Sequence, residues 1–192
     1  MIAQIGTWLV WFYCLKISDA VMILIACTIL YCVVDKYLKD YKWWRWLCTG
    51  FLAASLAAAF LVTIGNRGGG SDYRINLVPF HTYREVMNGG HPDIYRTNFM
   101  NAALFYPAGL LLTSLLPQKW PGWCRCLLTA VLFGAMSGAI EYVQYRCALG
   151  NVEIDDVIHN TGGALAGSLA MLVLTPMINR IAKNVAAWLK NE

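Results

Sequence analysis

The sequence predicts an all-α fold, a multi-pass transmembrane helical bundle of about five spans. Hydrophobic residues make up 58% of the 192 residues and charged residues only 14%, whereas about a quarter of a soluble domain is charged. The apolar residues form long runs that approach or reach the ~20 residues that a helix needs to cross a bilayer. The predicted spans are residues 17–34, 46–64, 98–116, 126–145 and 157–178.

The apolar residues 1–16 are too few to cross a bilayer, and we expect an interfacial or re-entrant helix there. Residues 24–27 resemble a lipoprotein cleavage site, but the apolar run continues beyond them and favours a membrane span. The loop at 35–46 combines basic residues with a tryptophan cluster, which is typical of an aromatic belt at the cytoplasmic interface.

A long connection, residues 65–97, separates the second and third spans. Residues 68–71 predict a flexible hinge. They do not predict a phosphate-binding loop, because no Gly-Lys-Ser/Thr follows them. A connection of this length favours a lid or a binding loop.

The last three spans carry polar groups at their ends and small residues in their middles. Asn98, Asn101 and Phe105 share one face of the third span, and Pro107 is expected to kink it. Two G-x-x-x-G motifs predict close helix approach in the fourth and fifth spans. Their glycines are Gly134, Gly138, Gly163 and Gly167.

Basic residues predict the orientation, because they concentrate on the cytoplasmic side of membrane proteins. They lie in the loop after the first span, the turn after the third and the C-terminal tail. The N-terminus and the 65–97 connection are then extracytoplasmic, although that connection carries four arginines. The predicted parts are an N-terminal segment, 1–16, one transmembrane domain, 17–178, and a cytoplasmic amphipathic tail, 179–192.

This topology places polar ends of three spans at one depth, and we expect a polar pocket at the outer leaflet. Glu141, Asp155, Asp156 and His159 are the catalytic candidates. Glu141 either joins helices or handles protons. The aspartates either cap a helix or bind a cation or an amine. His159 either packs through a hydrogen bond or acts as an acid or base.

Amide and arginine side chains are the ligand-binding candidates. The asparagines either satisfy backbone groups near the prolines or bind a polar head group or sugar, whereas Gln144, like Glu141, either joins helices or serves the site. The arginines are either solvated or bind phosphate. These residues are Asn76, Arg74, Arg84, Asn98, Asn101, Gln144 and Asn160.

Several classes of site are not expected. The seven cysteines form no C-x-x-C pair, so neither a zinc site nor a disulfide framework is expected. The catalytic candidates contain metal-ligand types, but no spacing identifies a metal, and we expect neither metal nor cofactor. A diffuse net charge of +4 without a nucleic-acid motif predicts no nucleic-acid partner.

Five short motifs, in order over about residues 60–176, resemble the VanZ-like family. They are Asn76-x-x-Pro79-Phe80, Asn98-x-x-Asn101, Phe105-x-Pro107-x-Gly109, Glu141-x-x-Gln144 and Asp155-Asp156-x-x-His159-Asn160-x-x-Gly163. The family's Arg-x-x-Asp-x-x-Asp pattern is only approximated, by Arg146 and by Glu153-x-Asp155-Asp156. The resemblance implies a small multi-span membrane protein of the cell envelope. Its namesake is an accessory factor associated with low-level teicoplanin resistance.

Two functions from different classes fit the sequence. The first is a non-catalytic factor that binds a lipid-anchored or lipophilic envelope molecule, such as a cell-wall precursor or a lipoglycopeptide, among the membrane lipids. The second is an enzyme that acts on a lipid-linked or cell-wall intermediate by acid–base chemistry. The chain has no G-x-S-x-G motif, which favours the first. A transporter is less favoured, because no inverted repeat is visible.

Overall fold

The computed structural model describes residues 16–65, 75–89 and 93–190, and in these ranges it confirms the predicted all-α membrane fold. The prediction for residues 1–16 falls, except for Lys16, outside the described residues. The helices are α1 (Ile17–Leu38), α2 (Lys42–Phe60), α3 (His81–Met87), α4 (Asp93–Leu115), α5 (Gly122–Cys147) and α6 (Ile154–Trp188). A π-helical turn (Leu61–Gly65) extends α2, and β1 (Ile75–Asn76) pairs in parallel with β2 (Val152–Glu153).

The long helices alternate in direction. Asn101 near the start of α4 bonds Asp156 near the start of α6, and Thr113 near the end of α4 bonds Ser168 farther along α6. The two helices are therefore parallel. Cys126 near the start of α5 contacts Ser168, whereas Ser137 farther along α5 bonds Asn160 near the start of α6, so α5 is antiparallel to α6. Arg45 near the start of α2 bonds the last residue of α4, and the end of α2 packs on the middle of α4, so α2 is antiparallel to α4. One end of the bundle thus collects the starts of α4 and α6 and the ends of α2 and α5. We call it the polar end.

Glycines let α4 and α6 pack backbone to backbone. A methyl group on Gly163 would overlap the carbonyl oxygen of Ala102, and one on Gly109 would overlap that of Ala164. A methyl group on Gly167 would likewise overlap the carbonyl oxygen of Tyr106. The motif predicted in the last span therefore allows close approach. The motif in α5 does not bring two backbones into contact. A methyl group on Gly134 would meet only a side chain, and one on Gly138 would meet none of the described residues within 4 Å.

A buried layer of small polar side chains joins α4, α5 and α6 farther along the bundle. The Thr113 hydroxyl donates to Ser168 Oγ at 2.6 Å and lies 3.2 Å from Thr129 Oγ1. Cys126 Sγ is 3.2 Å from the same serine oxygen. Such contacts each contribute about 0.6–2 kcal/mol between helices in a membrane.

Within the described residues, four helices are long and apolar enough to cross a membrane: Ile17–Leu38, Lys42–Ile64, Gly122–Cys147 and Ile154–Trp188. The fifth expected span corresponds to α4, which has 23 residues but a polar first half. Its central place explains this difference, because a helix covered by its neighbours needs fewer apolar residues. Eight of its residues are buried.

The last helix is longer than its predicted span. It has 35 residues and includes most of the stretch expected to form a separate tail. At 1.5 Å per residue it is about 52 Å long, whereas the hydrocarbon core is about 30 Å thick. The helix therefore either extends past the apolar layer at its last turns or lies tilted within that layer.

We expect Gly163→Ala to destabilise the bundle, because its methyl group would overlap the Ala102 backbone. Overpacking of this kind costs about 1–3 kcal/mol. Thermal unfolding of the purified protein in detergent should show a lowered midpoint. Gly162→Ala is the matched control, because the space beside Gly162 is open. Equal midpoints for the two variants would contradict the role given to the α4–α6 contact.

Candidate functional site

The polar end is assembled by a short β-bridge. Ile75 pairs with Val152, and Asn76 pairs with Glu153. These pairs join the connection between α2 and α4 to the turn between α5 and α6. That turn reverses through two residues with positive φ, Ala148 and Gly150. Segments far apart in the sequence are thereby held against the same end of the bundle.

A tight turn follows the bridge and begins α3. The side chain of Asn76 accepts a hydrogen bond from the Val78 amide at 3.1 Å. Phe80 has a φ of 59°, a left-handed conformation that is uncommon for a bulky residue. Its amide donates to Asp155 Oδ1 at 2.5 Å. The strained turn is therefore held by a carboxylate on α6.

Asp155 accepts hydrogen bonds from two residues at the start of α3. Besides Phe80, its donors are the Thr82 amide at 2.9 Å and the Thr82 hydroxyl at 2.6 Å. Asn98 Nδ2 donates in turn to Thr82 Oγ1 at 3.0 Å. An aspartate was expected to cap its own helix. Asp155 instead caps α3, and the N-cap of α6 is Glu153, which makes no side-chain capping bond.

Two further contacts continue along α6. Asn101 Nδ2 donates to Asp156 Oδ1 at 2.6 Å. One turn farther along α6, His159 Nε2 lies 2.8 Å from the hydroxyl of Tyr83. The ring of Tyr83 also packs against Tyr95. The other ring nitrogen of His159, Nδ1, is buried and has no hydrogen-bond partner within the part of the chain that the structure describes.

One face of α5 supplies the remaining polar groups. Glu141, only 6% exposed, accepts the Glu153 amide at 2.9 Å. One turn later, the fully buried Gln144 donates through Nε2 to the Thr63 carbonyl of the π turn at 2.8 Å. Its Oε1 is buried without a hydrogen-bond partner. The π turn presents a backbone acceptor to α5, consistent with the frequent placement of π segments at functional sites.

Asn160 joins α6 to α5 in the interior. Its Nδ2 donates to Ser137 Oγ at 2.9 Å, and its Oδ1 is buried without a partner. Four contributing residues were not predicted from the sequence. For two of them a signal existed, because Thr82 lies two residues after Phe80 and Ser137 lies one turn before Glu141. The four are Thr63, Thr82, Tyr83 and Ser137.

The predicted binding residues are not all brought into this network. Asn76 is used in its own turn, and Arg84 is exposed, with Nη2 at 3.5 Å from the Pro79 carbonyl oxygen. Arg74 lies outside the described residues. The other candidates, on α4, α5 and α6, lie at the polar end. Their roles as catalytic or ligand-binding groups stay predictions.

In this arrangement carboxylates accept hydrogen bonds from amide and hydroxyl donors, and they do not form a cluster of metal ligands among the described residues. Within residues 16–65, 75–89 and 93–190, no three His, Cys, Asp or Glu side chains are placed to hold a metal ion. The three carboxylates at Glu141, Asp155 and Asp156 each accept a hydrogen bond from another segment. Their present arrangement therefore fits binding and positioning.

A family model described as VanZ/LLP1 matches residues 46–175, which is more than half of the chain. The match runs from α2 to near the middle of α6 and includes every part of the polar end. No curated protein and no solved structure matches the chain significantly.

We expect Asp155→Asn to release α3 from α6. Asparagine keeps one acceptor oxygen but places an NH2 group against amide or hydroxyl donors. Losing a hydrogen bond to a charged group costs about 1.5–3 kcal/mol, so amide exchange at residues 80–87 should accelerate roughly 10–100-fold. Hydrogen exchange with mass spectrometry measures this. Asp93→Asn, at an exposed position in the first turn of α4, is the control, and equal exchange in both variants would contradict the capping role.

Proposed function

The chain belongs to the VanZ/LLP1 family, and we propose that it is a non-catalytic binding factor of the bacterial cell envelope. Its ligand is a lipid-anchored or lipophilic envelope molecule, and it binds at the polar end. More specifically, we propose that the protein is an accessory factor for tolerance of the glycopeptide antibiotic teicoplanin. The family resemblance supports this role.

The observation that carries the proposal is the engagement of three carboxylates at the polar end, of which Asp155 and Glu141 are buried. Asp155 accepts hydrogen bonds from Phe80 and Thr82, Asp156 accepts from Asn101, and Glu141 accepts from a backbone amide. A general base or nucleophile needs a lone pair directed at substrate. A carboxylate offers about four acceptor sites, so bonds to internal donors hold a recognition surface in shape and leave lone pairs for the donors of a ligand.

The charge distribution supports an outward-facing polar end. Basic side chains concentrate at the opposite end, in the α1–α2 turn and the turn before α5. Exposed tryptophans flank them at Trp43, Trp46 and Trp123, as in an interfacial belt. By the positive-inside rule that end is cytoplasmic, and the polar end opens to the extracytoplasmic side, where cell-wall precursors and glycopeptides meet.

One contact favours a second candidate, an enzyme that acts on a lipid-linked intermediate. The Tyr83 hydroxyl and His159 Nε2 are 2.8 Å apart, and Nδ1 of the same ring is unpartnered. An imidazole held by one nitrogen with the other unpartnered can transfer a proton. Wild-type protein, Tyr83→Phe and His159→Ala should each be incubated with radiolabelled envelope lipids. A covalent product that depends on both side chains would replace the binding proposal.

We expect purified wild-type protein to bind teicoplanin saturably in lipid nanodiscs, and we expect Asp156→Ala to weaken binding. The substitution leaves Asn101 without its charged acceptor, and the loss of such a bond corresponds to roughly 10–100-fold in Kd. Isothermal titration calorimetry provides the measurement. Asp40→Asn, at an exposed position of the opposite end, is the control.

The same variants should be expressed in a susceptible bacterium, with their membrane levels matched by immunoblot. Wild type and Asp40→Asn should raise the minimal inhibitory concentration of teicoplanin, and Asp156→Ala should not. A glycopeptide without an acyl chain should be unaffected by any of them. Unchanged susceptibility in all strains would overturn the role in glycopeptide tolerance.

A further inference from the structure

A gap runs between α1 and the closely packed α4–α6 pair. Its first part, next to the polar end, is a cavity of about 260 Å³. Leu24, Phe99, Ala102, Gly162 and Ala166 are among its lining residues. Its second part is a cavity of about 480 Å³ between α1, α2 and α4. Leu24 and Tyr106 line both cavities, so the two are adjacent.

The packing of α4 against α6 explains why this gap exists. Gly109, Gly163 and Gly167 bring the two backbones together, so side chains cannot fill the seam beside α1. Helix α1 is held across the gap by few polar contacts, among them Thr28 Oγ1 to Tyr106 OH at 3.0 Å. Gly162 faces the first cavity, and nothing lies within 4 Å of its missing methyl position.

The length of the gap matches one leaflet of a bilayer. On α4 its lining extends from Phe99 to Leu111, a rise of about 18 Å. Half of the ~30 Å hydrocarbon core is about 15 Å. The side chains that flank the gap, including Val21, Ile25 and Phe51, are exposed on the surface that faces lipid. A molecule that enters here therefore comes from within the bilayer.

A polar side chain of α6 lies one turn before the residues that line the first cavity. His159 precedes Gly162 and Gly163 by one turn and shares their side of α6. Its Nδ1 is buried and has no hydrogen-bond partner among the described residues, while Nε2 is engaged by Tyr83. When Tyr83 donates to Nε2, the ring proton lies on Nδ1, which becomes a donor for an ester or phosphate oxygen. An apolar passage that begins beside the polar end of the bundle has the pattern of an amphiphile site.

We propose that this gap binds one acyl chain of a membrane phospholipid, with its head group beside His159. The lipid enters sideways from the leaflet at the polar end, and its chain lies along α1, α4 and α6. This inference rests on the proposed function, because it makes the binding of a lipid-anchored ligand depend on a chain site inside the bundle. A lipophilic envelope molecule would use the same passage for its own chain.

Photocrosslinking in nanodiscs tests the proposal. The probe is a phosphatidylglycerol that carries a diazirine in the middle of one acyl chain, and labelled peptides are located by mass spectrometry. In the wild type, labelling should concentrate on α1 and on residues 99–111 of α4. An excess of unlabelled phosphatidylglycerol should suppress it. Labelling spread evenly over the lipid-facing residues of all helices would overturn the proposal.

Gly162→Leu introduces a side chain at a lining position of the first cavity, where an added Cβ meets none of the described residues within 4 Å. It should lower labelling about tenfold, the effect of excluding roughly two methylene groups. Gly138→Leu is the matched control. It introduces the same side chain at another helical glycine with open space, which does not line the gap, and its labelling should equal that of the wild type. Ala166→Leu narrows the same cavity and replaces Gly162→Leu if that variant does not fold. Wild-type labelling in a folded Gly162→Leu or Ala166→Leu protein would overturn the chain site.

Teicoplanin susceptibility of the same strains separates the two proposals. If Gly162→Leu loses labelling while expression of the wild type has no effect on susceptibility, the chain site stands and the glycopeptide role fails. If Asp156→Ala abolishes the protection against teicoplanin while Gly162→Leu still labels as the wild type, the glycopeptide role stands and the chain site fails.

Discussion

A buried carboxylate at the first turn of α6 holds the polar end together. Asp155 is only 2% exposed, yet it accepts hydrogen bonds from Phe80 and Thr82. Removing a carboxylate from water is costly unless donors replace the lost hydration. The three donors do so, and they also hold Phe80 in a backbone conformation that a bulky residue rarely adopts. The connection between α2 and α4 therefore meets α6 in one defined geometry.

The contact of α4 with α6 shapes both the polar end and the gap beside α1. Glycines on both helices bring their backbones together, and this parallel pairing sets Asn98 and Asn101 beside Asp155 and Asp156. The same close contact leaves the apolar gap beside the first half of α1, whereas the second half packs through Tyr31 and Cys32. The polar network and the passage that leads to it thus follow from one packing constraint. In a membrane such constraints depend on shape, because lipid tails offer no hydrophobic drive for helices to associate.

Much of the fold was predictable from the sequence, and the site only in part. Long apolar runs predicted the helices because length and hydropathy limit what can cross a bilayer. The polar residues on α4, α5 and α6 were predicted to converge, since the alternating spans place those ends on one side. The partners were not predictable. Gln144 bonds a carbonyl of a π turn, and His159 bonds a tyrosine of a short helix within the connection. Neither partner has a signal of periodicity or spacing.

By itself the sequence determined the membrane class, the order of the helices, the family and the chemical types gathered at one end, because these follow from hydropathy, charge and local spacing. Only the tertiary structure decided which partner each polar group bonds. An aspartate was expected to cap its own helix, and Asp155 caps α3 instead. That outcome depends on a β-bridge between Asn76 and Glu153. Contacts between segments so far apart arise from three-dimensional packing, which no local pattern encodes.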